Sequence, residues 1–160
     1  MRPVDPRVVE LLNDALTFEL TVTNTYFLHA RMLDNWGFPK LGKVFYTLSI
    51  DEMKDADALI NRVLLFEGHP NVQRLNPIRI GEDAEEMLRL ALESEIAAVA
   101  QFNSSAQECH DLGDHATAAI FEEMARDEET HADWFEGQLD AIARVGLQQY
   151  LAQQVDTSTP

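Results

Sequence analysis

The chain is poor in cysteine, in basic residues and in long apolar runs, and each shortage excludes a class of protein. A single cysteine, Cys109, rules out an internal disulfide framework and suits a reducing compartment. With 12 basic against 28 acidic residues, the formal net charge of −16 argues against nucleic acids and anionic membranes as partners. No apolar stretch approaches the roughly 18 residues of a membrane span, and Met1 to Arg7 lacks the apolar run of a signal peptide. We therefore expect a cytoplasmic protein.

The apolar side chains that are present suffice for one sizeable core. Hydrophobic residues make up 46% of the 160 residues, which suits a single folded domain. Asp5, Asp83 and Asp114 are typical helix N-caps, and glycines mark the helix ends, as at Gly37 and Gly113. These signals predict helices over residues 6–35, 40–66, 83–113, 114–145 and 147–154.

The connections between these segments predict how the helices pack. Short loops after the first and third helices imply antiparallel neighbours. The segment 71–81 contains Pro77, shows no helical period and is long for a link between neighbouring helices. Such a crossover is typical of the ferritin-like four-helix bundle. We predict an all-α chain, with one such bundle and a short fifth C-terminal helix over residues 1–154 and a flexible tail over 155–160.

Two pairs of glutamates recur along the chain at a fixed spacing. Glu19 and Glu52 are 33 positions apart, and so are Glu95 and Glu128. The second pair follows the first after a shift of 76 positions. A repeat of this kind predicts two similar helical hairpins that point carboxylates at a shared centre.

All four glutamates lie within apolar helical stripes, because their neighbours at helical spacing are apolar and face the core. Burying an ionised carboxylate costs on the order of several kcal/mol unless it is paired or binds a metal. The stripes carry no basic partner for these acids. Asp55 and His131, which the same shift relates, follow Glu52 and Glu128 by three positions and face the same centre. Oxygen and imidazole ligands without thiolates favour two ions of iron or manganese, with zinc as a competitor.

Five segments resemble the bacterioferritins, and the likeness extends over nearly all of residues 4–154. The segments are 24–33 (NTYFLHARML), 49–57 (SIDEMKDAD), 78–90 (IRIGEDAEEMLRL), 126–142 and 146–151 (GLQQYL). The resemblance implies a hollow shell of twenty-four subunits that oxidises ferrous iron with dioxygen or peroxide and stores the ferric mineral. It also implies a dinuclear iron centre with Tyr26 beside it and with Glu52 and Glu128 bridging the irons. The catalytic ligands that the resemblance implies are Glu19, Glu52, Glu95, Glu128 and His131.

The same resemblance implies a haem between two subunits, with one methionine from each subunit as an axial ligand. The matching residue is Met53, which projects about 100° around the helix from Glu52 and so away from the iron centre. We expect haem b at this position. Weaker candidates for the walls of its pocket are Leu20, Asn24, Phe27, Tyr46, Ile50 and Lys54. The implied partners are further copies of the chain, or a second bacterioferritin subunit in a mixed shell, and a ferredoxin as electron donor.

Asp55 departs from the pattern of this family, which has a histidine at the matching position. With Asp55 as a further metal ligand, the centre holds five carboxylates instead of four, and the shorter side chain alters its geometry. Thr47, where many members carry a histidine, and Leu48 depart from the pattern on the same helix.

Two functions therefore stay open. The first is an iron-storage ferroxidase whose dinuclear centre tolerates Asp55. The second is a haem-carrying subunit with an impaired ferroxidase site that assembles with a competent subunit. A diiron oxygenase acting on organic substrates is disfavoured, because the sequence signals no further domain.

The remaining candidates are expected to be structural. His29, His69, His110 and His115 lie near predicted helix ends or turns, where we expect surface or interface packing. Trp36 and Trp134 are also expected to pack, and Cys109 to have no catalytic role.

Overall fold

The computed structural model describes residues 5–158, which form five helices. These are α1 (Pro6–Asn35), α2 (Pro39–Leu65), α3 (Ala84–Asp111), α4 (His115–Val145) and α5 (Leu147–Ala152). The predicted all-α fold, with four long helices and a short fifth, is confirmed, and no strand occurs within residues 5–158. The predicted bundle and tail also included residues 1–4 and 159–160, which lie outside the described part of the chain.

The bundle consists of two helical hairpins joined by a crossover. α1 packs along α2, and α3 packs along α4, each pair across a turn of a few residues. The connection from 66 to 83 leads from the first hairpin to the second and is held along α1 by side chains of that helix. Thr21 Oγ1, for example, accepts from the amide of Asn76 at 2.9 Å. No helix within residues 5–158 has the length and apolar character needed to cross a membrane.

The helix starts follow the predicted caps. Asp83 Oδ1 accepts from the amide of Glu86 at 2.8 Å. Glu86 Oε2 in turn accepts from the amide of Glu82, one residue before the cap, whereas in a capping box it would accept from the amide of the cap residue itself. Gly37 and Gly113 follow α1 and α3 with φ of 86° and 79°, a left-handed conformation that glycine adopts without strain.

His29 corrects one sequence expectation. We expected surface or interface packing, but the side chain is fully buried in α1, and its Nε2 accepts from the amide of Gly81 at 3.0 Å. The ring stands edge-on to Phe45, with centroids 5.5 Å apart. A Cβ at Gly81 would lie 2.6 Å from the backbone nitrogen of Met87, so the close approach of the crossover requires glycine. His29 therefore fixes the end of the crossover to the first hairpin.

We expect the fold to lose stability below pH 6.5 through His29. Burial, opposed weakly by the charge of Glu86, lowers the pKa of His29 from 6.5 to about 4. The unfolded chain therefore takes up a proton that the folded chain excludes, and the free energy of unfolding falls by up to about 3 kcal/mol as the pH drops from 6.5 to 4. Denaturant titrations from pH 7 to 4 should show a smaller decline for His29→Gln. The exposed His69→Gln serves as control, and equal slopes for all three proteins would contradict the assignment.

Candidate metal centre

Each long helix contributes one buried glutamate to the middle of the bundle. Glu19 lies on α1, Glu52 on α2, Glu95 on α3 and Glu128 on α4, and none is more than 1% exposed. The apolar neighbours on each stripe bury these helix faces against one another, so the carboxylates follow the core-facing register. The structure thus brings together the four acids that the repeat singled out.

His131 is the cationic partner of these acids in the described part of the chain. Its Nδ1 lies 3.0 Å from Glu128 Oε2, 3.3 Å from Glu52 Oε1 and 3.9 Å from Glu95 Oε2. The bond to Glu128 has hydrogen-bond geometry. The side chain is 17% exposed, so one edge of the ring reaches the surface.

The potential ligand atoms form two overlapping groups. One contains Glu52, Glu95, Glu128 and His131, and the other contains Glu19, Glu52, Asp55 and Glu128. Within each group, one ligand atom per residue lies within 4.8 Å of all the others. Glu52 and Glu128 belong to both groups, which is the geometry of two metal positions that share two carboxylates.

Unpaired oxygens show what the centre needs. Both oxygens of Glu19 and of Glu52, Oε2 of Glu95 and Oε1 of Glu128 are buried without a hydrogen-bond partner among the described residues. Buried polar atoms are normally satisfied, and a carboxylate left without partners costs more than a neutral group. Divalent cations would satisfy several of these oxygens at once. The donor set therefore fits a pair of metal ions.

Burial shifts the proton affinities of the four glutamates. Burial, reinforced by the charges of Glu52 and Glu128, raises the pKa of Glu19 well above its ordinary value. Burial likewise raises the pKa of Glu95, and it raises the pKa of Glu52 against the opposing effect of the nearby His131. At Glu128, burial acts upward too, but the hydrogen bond to His131 and its other partners outweigh it and the pKa falls.

The same group of buried carboxylates helps to raise the pKa values of Asp55 and His131. Burial, followed by the charges of Glu52 and Glu128, raises the pKa of Asp55 to about 7. For His131 burial lowers the pKa, but the hydrogen bond to Glu128 and the carboxylate of Glu52, whose Oε1 lies 3.3 Å from Nδ1, outweigh it and raise the pKa to about 10. Bound protons therefore reduce the repulsion among the carboxylates of the centre when metal is absent. Metal ligands must be deprotonated, so metal binding displaces these protons.

Aromatic side chains pack beside the centre, and an acidic cavity lies next to two of its residues. The Tyr26 hydroxyl donates to Glu95 Oε1, and its ring contacts Phe45 and Phe135 at centroid distances of 5.5 and 6.0 Å. Asp55 and His131 line a cavity of about 310 Å³ together with Asp51, Lys54 and Asp127. This acidic cavity reaches the centre at Asp55 and His131, and none of the four buried glutamates lines it.

The remaining sequence candidates lie away from the centre. Met53 is 48% exposed on the outer face of α2, and Thr47 is exposed on the same helix. Cys109 is buried and free, and burial raises the pKa of its thiol to about 11, which suits the expected absence of a catalytic role.

A polar cluster of His110, His115 and Glu122 was not predicted from the sequence. His110 Nδ1 lies 2.9 Å from His115 Nδ1 across the turn between α3 and α4, and His110 Nε2 lies 2.8 Å from Glu122. Two histidines five positions apart that flank a glycine turn were the available signal.

Comparisons with known proteins agree with this architecture. The ferritin-like domain family matches residues 9–145. A bacterioferritin of Brucella melitensis is 44% identical over 146 residues, which cover 91% of each chain. A bacterioferritin of Mycolicibacterium paratuberculosis is 42% identical over 149 residues, covering 93% of this chain and 94% of the relative. One from Streptomyces coelicolor is 40% identical over 156 residues, covering 98% of this chain and 93% of the relative. The chain therefore belongs to the bacterioferritins, the iron-storage branch of the ferritin-like proteins whose carboxylate-rich bundle it shares.

Proposed function

We propose that this chain is a cytoplasmic iron-storage subunit that oxidises Fe(II) at the buried carboxylate centre. Fe(II) is the substrate, and the ferric product is stored inside a hollow shell of twenty-four subunits. The observation that carries the proposal is the convergence of four buried glutamates and His131, with unpaired oxygens aimed at one another. Four such acids without cations would destabilise the bundle, so the arrangement is explained by metal binding.

Catalysis would rest on placing two iron positions side by side. Glu52 and Glu128 belong to both ligand groups and would bridge the two irons. Each ferrous ion gives up one electron, and dioxygen or peroxide accepts electrons in pairs. Two adjacent positions therefore match the electron demand of the oxidant. Glu95 and His131 would complete one position, and Glu19 and Asp55 the other.

Met53 would hold haem b at a two-fold axis between subunits. Met53 is 48% exposed and lies outside the core, and Phe27 (49% exposed) and Tyr46 (39% exposed) present further apolar surface on α1 and α2. The rings of Phe27 and Tyr46 lie 6.1 Å apart. A soft thioether is a suitable axial ligand for haem iron and favours its reduced state.

Replacing Met53 by leucine is expected to abolish the axial ligation. The haem absorption of the purified protein, measured against protein concentration, should fall and lose its methionine-ligated spectrum in Met53→Leu. The matched control is Met32→Leu, since Met32 is partly buried against the core of α1. Equal spectra in all three proteins would rule out Met53 as the ligand.

Asp55 favours a second candidate function. It stands where the family pattern has histidine, so the ferroxidase centre would be impaired. The chain would then act as a haem-carrying subunit that passes electrons, received from a ferredoxin, to stored iron. A second, ferroxidase-competent bacterioferritin subunit would share the shell.

Rapid mixing of the purified homomer with ferrous iron and oxygen separates the two functions. The first predicts a fast rise of ferric absorbance that Glu128→Ala slows by more than the roughly 10–100-fold effect of losing an outer-shell partner. Glu123→Ala, at an exposed position of the same helix, should keep the fast phase. A slow wild type that becomes fast in Asp55→His would support the second function instead. Slow oxidation in every variant would contradict the first function and would show that Asp55 alone does not cause the impairment that the second function requires.

A further inference from the structure

We infer that the two metal positions have different metal preferences, with the position at Asp55 selecting the harder cation. The inference rests on the proposed dinuclear centre. We call the position formed by Glu95 and His131 with the shared Glu52 and Glu128 the imidazole position. The position formed by Glu19 and Asp55 with the same shared pair is the all-oxygen position. Its ligand class is a carboxylate-preferring divalent ion such as Mn²⁺.

The two positions have matching ligand types except for one donor, although the Tyr26 hydroxyl also donates to Glu95 at the imidazole position. Glu52 and Asp55 are three positions apart on α2, and Glu128 and His131 are three positions apart on α4. Residues at this spacing lie on the same helix face, so Asp55 and His131 enter the centre from equivalent places. Helix placement and the shared ligands Glu52 and Glu128 therefore do not by themselves distinguish the ligand sets of the two positions. Their ligand sets differ in that Asp55 supplies a carboxylate where His131 supplies an imidazole.

Contacts around Asp55 leave its carboxylate available to a cation. Lys54, the neighbouring base on α2, has its Nζ 3.0 Å from Asp51 and is 70% exposed. Both oxygens of Glu19, the other acid of this position, are buried without a hydrogen-bond partner among residues 5–158. Asp55 also lines the acidic cavity through which a hydrated ion would approach.

Charge and ligand type both favour a hard cation at the all-oxygen position. Glu19 and Asp55 add two carboxylates there, whereas the imidazole position gains one carboxylate and a neutral ring. Carboxylates suit Mn²⁺ and Mg²⁺, while imidazole suits later transition metals. Because Mn²⁺ binds nitrogen more weakly than Co²⁺ does, exchanging imidazole for carboxylate costs Co²⁺ more than Mn²⁺.

Anomalous diffraction measures this preference directly. Crystals of the assembled protein, freed of metal by chelation, are soaked in equal concentrations of Mn²⁺ and Co²⁺. Data are collected at the absorption edges of both metals. We expect the Mn-to-Co occupancy ratio at the all-oxygen position to exceed that at the imidazole position on the order of tenfold, within the range over which ligand surroundings alter metal affinity.

Two substitutions test the role of Asp55 itself. Asp55→His should remove the difference, so that both positions take mainly Co²⁺. Asp57→His, at an exposed aspartate two residues further along α2, should leave the difference intact. If Asp55→His does not fold, Asp55→Asn provides the same test, because it should lower Mn²⁺ occupancy at the all-oxygen position alone.

The outcomes separate this inference from the proposed function. Metal at both positions with equal Mn-to-Co ratios overturns the inference and leaves the dinuclear centre in place. A difference that persists in Asp55→His also overturns it. No bound metal at either position contradicts the dinuclear centre itself.

Discussion

Replacing Glu19 by glutamine is expected to stabilise the metal-free protein and to weaken its response to metal. Glu19 is fully buried, and both its oxygens lack partners among the described residues. Its folded-state pKa is raised, by burial first and by neighbouring carboxylates second, so folding at neutral pH must take up a proton or bury a charge. Glutamine needs no proton and carries no charge, so its burial costs only the desolvation of a neutral amide. We expect the substitution to raise the free energy of unfolding on the order of 1 kcal/mol, the usual size of a single-residue effect.

The pH dependence of this gain has a definite sign. Between the ordinary value of 4.5 and the raised folded pKa, the folded chain holds a proton that the unfolded chain has lost. The wild type therefore loses stability as the pH rises above 4.5, and Glu19→Gln loses less. With metal bound, wild type should be more stable than Glu19→Gln, because the variant lacks one metal ligand. A ligand at one hundred times its dissociation constant stabilises the folded protein by about 2.7 kcal/mol.

Scanning calorimetry with chelator and with Mn²⁺ tests both halves of this prediction. The variant should unfold a few degrees higher than wild type in chelator, since about 1 kcal/mol corresponds to roughly 2–4 °C for a chain of this size. It should lose most of the rise that Mn²⁺ gives to wild type. The exposed Glu10→Gln should match wild type in both conditions. A less stable metal-free variant would contradict the view that these acids are held together at a cost.

Replacing Asp114 by alanine is expected to cost about 3 kcal/mol or more, the range for breaking a buried ion pair. Asp114 caps α4, accepting from the Thr117 amide at 3.0 Å and the Thr117 hydroxyl at 2.6 Å. It also pairs with Arg62 at 3.2 Å, and the two side chains are 8% and 15% exposed. Alanine would leave the guanidinium of Arg62 buried without its partner and α4 without its N-cap.

Comparison with a second N-cap separates the contribution of capping at Asp114 from that of its ion pair with Arg62. Asp83 accepts only one bond, from Glu86, within its cap, so Asp83→Ala should cost about 1 kcal/mol. Equilibrium unfolding in urea, with the assembly state matched by size-exclusion chromatography, provides both values. Equal losses for the two variants would show that Arg62 contributes nothing, and Arg62→Met combined with Asp114→Ala should recover part of the loss.

The sequence was sufficient to predict the architecture and the identities of the converging acids. Glu19, Glu52, Glu95 and Glu128 could be found because each interrupts an apolar stripe, and a buried acid contradicts the local pattern strongly. The caps at Asp83 and Asp114 were equally readable, since capping depends on residues within one turn. At these positions the local sequence pattern and the packing of the helices predict the same placement of the side chain.

What the sequence left out depends on contacts between distant segments. His29 reads as a polar residue near a helix end, and its burial follows from the crossover returning to place Gly81 against its ring. The pairing of His110 with His115 depends on the angle at which α3 and α4 leave their turn. Ligand roles in the centre, the haem at Met53 and the subunit number remain predictions, because they depend on groups and copies beyond one chain.

Iron-edge anomalous diffraction from crystals soaked anaerobically in Fe²⁺ tests the central claim most directly. We expect two peaks in the middle of the bundle, one contacting His131 and one contacting Asp55, with Glu52 and Glu128 between them. Strong peaks elsewhere with none inside the bundle, or carboxylates turned toward solvent while iron is present, would contradict the account.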